Sequence, residues 1–328
     1  MPQTLEANLT GRREQLADYV ALVDEKQTPL VSLIPKSKQL TNTQFDFVVD
    51  SYAAPVTTAH VDGQDVTSYT DESANKARLL NYVHYLQQAS GVSTMAQEIA
   101  HTPSGNLLGE AKAKATVEMK RSMEAVLLSS GEMVLGSGAV GSQTRGLGTW
   151  ISTSAQSLNP VPAAYRPASA QVVTTATASL AESDLQNVLA SIFDTTGMTG
   201  DYKFICGSVL RRRLTDMTTL VSSGSTNTQV GIRTFDSKST DTITKTVTVY
   251  NGDYGSYEIL SSNFIGWSAG AADTDRGYVL DFDKLLLRYH TMPRIVDLPN
   301  LGGGQRFYIE SIFGLQVSNP IGLAKFQP

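Results

Sequence analysis

Apolar positions recur at two periods along this chain. Between Gln44 and Val49 they alternate. Phe45, Phe47 and Val49 share one face while Gln44, Asp46 and Val48 take the other, the pattern of a half-buried strand. Leu79-Leu80-Asn81-Tyr82-Val83-His84-Tyr85-Leu86 reads as a second strand, rich in aliphatic and aromatic side chains. The polar stretch between them carries the turn-prone pair Asp62-Gly63. Together these segments predict one long two-stranded ribbon over 41–90. Each arm with its share of the tip has about 20 residues, a reach of roughly 50–65 Å. A compact chain of this length has a radius of gyration near about 20 Å, so the ribbon is expected to project beyond its own body. An isolated hairpin is marginal in water, and the ribbon is therefore expected to lie on a neighbouring copy.

The helical period is strongest from Gly105 to Ser130. Leu108, Ala111, Ala115, Met119, Met123, Val126 and Leu127 form an apolar stripe at three- and four-residue steps, with Lys112, Lys114, Glu118, Lys120 and Arg121 largely off it. Ser104 is the expected cap at its start and Gly131 at its end. Such a spine spans about 39 Å. Upstream, Leu16, Tyr19, Val20 and Val23 predict a short helix from Arg12 to Val23, and Leu30, Val31, Leu33 and Ile34 form an apolar anchor between Pro29 and Pro35. Downstream, the Ser/Thr/Ala/Pro-rich segment 152–177 marks a lobe boundary. Ser179-Leu180-Ala181-Glu182 reads as a capping box for a helix carrying Leu185, Val188, Leu189, Ile192 and Phe193, stopped by Gly197. Tyr202 to Cys206 is a short strand, and Ser208 caps a helix with Leu210, Leu214, Met217 and Val221 on its apolar side. A flexible loop is expected over Ser222–Asn227. Thr242 to Tyr250 alternates, Asn251-Gly252 signals a hairpin turn, and Tyr257 to Leu260 returns. In Arg306 to Val317, Phe307, Ile309, Phe313, Leu315 and Val317 share one parity, which Ile312 interrupts.

Composition narrows what this fold can do. The 328 residues carry 26 Lys plus Arg against 31 Asp plus Glu, a formal charge of −5. Hydrophobic residues at 41% suit a globular core and argue against general disorder. An acidic chain gains nothing overall from neutralising phosphates, which argues against a nucleic-acid reader. One cysteine excludes an internal disulfide framework and a cysteine-rich zinc site. No run approaches the roughly eighteen apolar residues of a membrane span, and the first twenty residues lack the apolar centre of a secretory signal.

The candidate chemistry is thin. Gly136-Ser137-Gly138-Ala139-Val140-Gly141 fits GxGxxG, but it follows a helix rather than joining a strand to one, so a plain loop is favoured. Glu98 and His101 have the ExxH spacing of carboxylate-bridged metal sites, without the second set those sites need. Cys206 with His290 as base is a conceivable nucleophile pair, yet Cys206 ends an apolar strand, where cysteine is usually a small core residue. Arg211-Arg212-Arg213 is the densest positive run; on a helix it fans across three directions, and a surface or intersubunit role is favoured. Asn8-Leu9-Thr10 is a glycosylation sequon by pattern alone, and Asp273-Thr274-Asp275 is too short for a calcium loop. There is no GxSxG and no P-loop. The expectation is no catalytic, cofactor-binding or metal residue, hence no enzyme.

Arm, ribbon, spine helix, glycine-rich loop, α+β lobe and final strand follow one another in a recognisable order. Its markers are Pro29-Leu30 with Leu33-Ile34-Pro35-Lys36, Thr43 to Asp50, and Arg78 to Tyr82. They continue with Glu110, Lys120 to Ser129, Arg145-Gly146-Leu147 and Trp150-Ile151, then Leu180 to Leu185, Asp253 to Ser256 and Val279 to Asp281. The ordered series resembles a tailed-bacteriophage major capsid protein (the major head protein family), closest to the podophage type. The resemblance implies an α+β tailed-phage major capsid fold. Its parts would be an N-terminal arm over 1–40, an extended β-ribbon loop over 41–90, and a spine helix and peripheral domain with linker over 91–178. An axial domain over 179–275 and strands returning to the peripheral domain over 276–328 would follow. It implies self-assembly into hexamers and pentamers of an icosahedral shell enclosing double-stranded DNA. Portal, scaffolding and decoration proteins would be further partners and packaged DNA a non-specific neighbour. There would be no cofactor and no membrane. Location would be the virion capsid, after assembly in the host cytoplasm. The alternative is the shell of a bacterial nanocompartment of the same fold.

Overall fold

The computed structural model describes residues 27–38, 40–67, 69–98, 106–217, 247–267, 272–300 and 302–328. The expected helix Arg12–Val23, the Asn8 sequon, His101, Ser104, Val221, the loop Ser222–Asn227 and the start of the strand expected from Thr242 lie outside them.

The ribbon signal gives α1 (Pro29–Leu33) and β1 (Lys36–Ser37), then a hairpin of β2 (Gln44–Val49) and β3 (Ala77–Tyr82). β2 and β3 pair antiparallel from Gln44↔Tyr82 to Val49↔Ala77, and Phe45, Phe47 and Val49 are buried as the alternation requires. The ribbon is shorter than expected. At Val83, whose amide donates to Thr43 O at 2.9 Å, the chain leaves the hairpin. It continues as β4 (His84–Ser93) in a different sheet, so the apolar run Leu79–Leu86 serves two sheets and not one arm. The paired strands, six residues each, span about 20 Å, and the described residues between them form no ladder. The hairpin base also does not stand free of its own body, contrary to expectation. Phe45, Phe47, Val49, Leu79 and Val83 belong to the main core. Gly314 has no side chain there because a Cβ would overlap the Phe45 ring.

After α2 (Thr94–Glu98), the spine is α3 (Leu107–Leu127), 21 residues and about 32 Å. Its cap is Asn106, whose side chain accepts from Gly109 N at 2.9 Å, and it ends at Leu128, ahead of the expected Gly131. Ala115, Met119, Met123 and Leu127 are buried, as the stripe predicts. Past the short α4 (Leu147–Trp150), the linker contributes β5 (Val172–Val173). α5 (Glu182–Thr196) starts without a Ser179 cap. Ser179 is drawn into a 3₁₀ turn, and Asp184 instead takes the amide of Ala181 at 2.9 Å. Gly197, at φ 68°, ends the helix in the left-handed conformation that glycine adopts without strain. β6 (Gly200–Cys206) and α6 (Ser208–Met217) follow as expected.

The hairpin of β7 (Val249–Gly252) and β8 (Gly255–Ser261) turns two residues later than its Asn-Gly signal. Asn251 pairs with Ser256 and Gly252 with Gly255, leaving Asp253-Tyr254 as the loop. The Tyr254 ring is thereby stacked on Phe193 with centroids 4.9 Å apart.

The rest is β9 (Gly277–Leu280), β10 (Leu285–Leu298), β11 (Gly304–Val317) and β12 (Ala324–Phe326). One sheet runs β1-β10-β11-β4, the other β5-β12-β9-β6-β8-β7. The return over 276–328 is therefore divided: β10 and β11 join the first sheet, but β9 and β12 join the second. Phe307, Ile309, Phe313, Leu315 and Val317 are all buried, while Ile312 is half-buried on the opposite parity. β10 slips register between Tyr289 and Thr291 and again between Thr291 and Arg294, around Pro293, which has no N–H for the ladder. Two cores result. Ile205, Tyr278 and Leu280 face the core shared with α3, whereas Phe204, Cys206 and Val279 on the same strands face the core of α5 and α6.

Placing a carboxylate at Met119 buries an unpaired charge. Met119→Asp is expected to leave no soluble folded subunit by circular dichroism. Val117→Asp on the same helix, at a position 48% exposed, should fold normally.

Candidate assembly site

The segment joining β2 to β3 is exposed at every described residue from Ser51 to Lys76. Its ends are nevertheless fixed. Asn75 Nδ2 donates to Ser51 O at 3.1 Å, and the Tyr165 hydroxyl donates to Asn75 O and sits 3.3 Å from Ser51 Oγ. Between these ends Tyr52, Val56, Val61, Val66 and Tyr69 are turned to solvent, Tyr52 at 103%. These five are among the large apolar side chains that the fold leaves exposed.

Beneath the hairpin lies a buried polar junction. Asn81 is fully buried and uses all its hydrogen-bonding capacity. Its Nδ2 donates to Thr144 Oγ1 at 2.9 Å and Leu315 O at 2.7 Å; its Oδ1 accepts from Tyr82 N and Arg145 N, both at 2.9 Å. Arg145 is also fully buried. Its Nε donates to Glu132 Oε1 at 2.6 Å, its Nη2 to Leu158 O and Asn159 O, and its guanidinium lies 4.8 Å from the Trp150 ring centre. Burial pulls the guanidinium below its ordinary pKa, and Glu132 opposes that shift. The loop 131–160 is thus tied to the ribbon base through one arginine. Trp150 in turn meets Phe47 of the ribbon at 6.1 Å.

The arm is fixed at Leu30 and Val31, both buried. The sequence singled out Leu30, Val31, Leu33 and Ile34 as an anchor; Leu33 is instead 49% exposed and the other three carry the burial. Neither the buried Glu124 beneath this anchor nor the roles of Asn81 and Arg145 were legible from apolar period, which is silent on polar residues inside a core.

The other sequence candidates fall apart as chemistry. Cys206 is buried, its Sγ 3.5 Å from Leu260 O, and burial pushes its pKa up to about 12, so the thiolate nucleophile is suppressed. His290 stands on the other sheet, exposed and beside Thr291 Oγ1 at 3.1 Å. The GxGxxG segment is a turn closed by Ser137 N to Val140 O at 2.8 Å, with no helix opening from it. Glu98 ends α2. Asp273 pairs with Arg276 at 2.6 Å, and no cluster of metal-binding side chains occurs among the described residues. The arginine run corrects the surface expectation. Arg211 Nη1 donates to Ile259 O at 2.6 Å and Arg213 to Leu180 O at 2.8 Å, clamping α6 to its own lobe and leaving Arg212 exposed.

No curated protein sequence matches the chain. The profile of the SU10 major capsid protein family matches residues 3–327. The fold is similar to the capsid of the cyanophage P-SCSP1u, with a TM-score of 0.64 at 13% identity over 96% of this chain and 92% of that one. It is similar to the capsid of the native GTA particle, with a TM-score of 0.61 at 13% identity over 98% and 96%. The structure from Gordonia phage Cozz has a TM-score of 0.61 at 15% identity over 97% and 91%. The architecture is thus the α+β fold of tailed-phage capsids.

Asn81→Leu keeps the branching and heavy-atom count of the side chain and removes the four Asn81 bonds, leaving the Arg145 amide and the Leu315 carbonyl buried without that partner. At about 1–3 kcal/mol for each orphaned group, the loss should be about 3 kcal/mol or more, read as a lowered denaturant midpoint.

Proposed function

This chain belongs to the SU10 major capsid protein family, and on that premise we propose that it closes, as hexamers and pentamers of itself, into an icosahedral shell around double-stranded DNA. It is a structural subunit of a phage shell; the nanocompartment alternative is not favoured, since the family match runs over residues 3–327 and capsids share the fold. The observation that carries the closed-shell reading is the exposed loop 51–76 with Tyr52, Val56, Val61, Val66 and Tyr69 uncovered by their own chain. Seating such a loop on the next copy, in a head-to-tail contact whose rotation closes, generates rings. Burial of its apolar side chains then contributes only on assembly. The ribbon base, already packed in the main core, fixes the direction in which the loop leaves the body.

The formal charge of −5 supports a container role. A wall that bound phosphates tightly would hold counterion-released DNA against packing and exit. On this reading the subunit assembles in the host cytoplasm and ends in the virion, with portal, scaffolding and decoration proteins as partners and no catalytic role of its own.

The adjacency of Ser51 and Asn75 makes the loop separable. Replacing 53–73 by a short Gly-Ser linker should leave a soluble subunit with unchanged thermal unfolding that forms no closed shells under negative-stain microscopy. Complete shells from that variant would refute the loop's role as the intersubunit contact.

A further inference from the structure

The loop 51–76 leaves the body past the last rung of the hairpin ladder, Val49↔Ala77. Beyond that rung its two ends are joined by side chains. Asn75 Nδ2 donates to Ser51 O at 3.1 Å, and a bond between the two ends closes the base without setting its direction. The Tyr165 hydroxyl supplies the fixed point. It donates to Asn75 O and lies 3.3 Å from Ser51 Oγ, so it reaches both ends at once. Its ring is buried in the main core.

Tyr165 comes from the proline-containing segment between the lobes, and that segment is braced where the tyrosine stands. Tyr165 ends a 3₁₀ turn, its amide donating to Pro162 O at 2.9 Å. Behind the turn, Arg166 Nε donates to Val161 O at 2.7 Å. Val161 is buried, and its amide donates to Gln156 Oε1 at 2.9 Å. Gln156 Nε2 in turn donates to Thr149 O at 3.1 Å. The hydroxyl is therefore carried on a ring and a turn that are both fixed to the body. A polar tip on a packed apolar ring, supported from behind, is built to hold another group in place.

We propose that Tyr165 is a positioning residue for assembly: its hydroxyl aims the loop 51–76 in one direction before the loop meets a second copy of this chain. This rests on the reading of that loop as the contact between copies. Between its ends the loop is exposed at every described residue, so its direction is set at the base. A loop already aimed loses less freedom on docking, and association then costs less. Phenylalanine at position 165 removes the hydroxyl while keeping the ring in the core, which separates aiming from packing.

Distances between paired nitroxide labels on the unassembled full-length chain read the aim. Cys206 is buried, so the labels go to introduced cysteines at exposed positions. Ala53→Cys with Val117→Cys reports loop against body. Val117→Cys with Arg212→Cys reports the body alone. The wild-type background should give one narrow loop-to-body distribution and Tyr165→Phe a broad one, with the second pair unchanged in both. Without labels, Tyr165→Phe should need a subunit concentration roughly two- to tenfold higher to form shells, the weight of one net hydrogen bond. A loop distribution already broad in the wild-type background overturns the proposal, as does one that stays narrow in Tyr165→Phe. Broadening of both pairs is general loosening and overturns it too, and so does shell formation at an unchanged concentration. If the wild type itself forms no shells, the reading of the loop as the contact fails, and the label distributions still decide whether Tyr165 aims it.

Discussion

Asn81 holds together three segments that are remote in sequence. One amide group saturates its donors on Thr144 and Leu315 and its acceptor on Tyr82 and Arg145, fully buried in the core. In a low dielectric each of these bonds is strong and each would be costly to leave unmade. The hairpin, the exit of the glycine-rich loop and β11 must therefore meet in one register. Everything outward of the junction depends on it. The Phe45 ring seats over Gly314 and Phe47 meets Trp150. The loop 51–76 leaves from a base whose angle is set in the core and not at the surface.

The two lobes are joined with comparable economy. β6 and β9 carry side chains of both parities into apolar surroundings: Ile205, Tyr278 and Leu280 into one core, Phe204, Cys206 and Val279 into the other. A strand buried on both faces shows a continuous apolar run, as in Phe204-Ile205-Cys206. This wall gives the lobes a shared surface, reinforced where Lys325 Nζ donates to Gly148 O at 2.9 Å and Tyr278 hydroxyl to Leu128 O at 3.2 Å.

Periodicity made much of this legible in the sequence. The spine stripe from Ala115 to Leu127, the alternation of Phe45, Phe47 and Val49, and the parity of β11 all follow from burial on one face. Periodicity failed where a pattern does not record its partner. The run Leu79–Leu86 looks continuous although it changes sheets at Val83, because both sheets demand the same residue types. The Asn-Gly signal at 251–252 yielded to an Asp-Tyr loop that places Tyr254 on Phe193. The candidate site divided in the same way. The exposed loop was legible as a polar interval between strands. Glu124 and Arg145 were not, because a charged residue inside a core is specified by partners more than ninety residues away for the first, and for the second by Asn81, Glu132 and Trp150 together.

Cys206 closes a different route. The chain has one sulfhydryl, and it is sealed in the second core with its ionisation suppressed. Oxidants act on the ionised, accessible form. While the second core stays closed, a disulfide between two copies of this chain has no accessible thiol to form from. Cohesion between copies must then come from non-covalent surface contacts and not from sulfur.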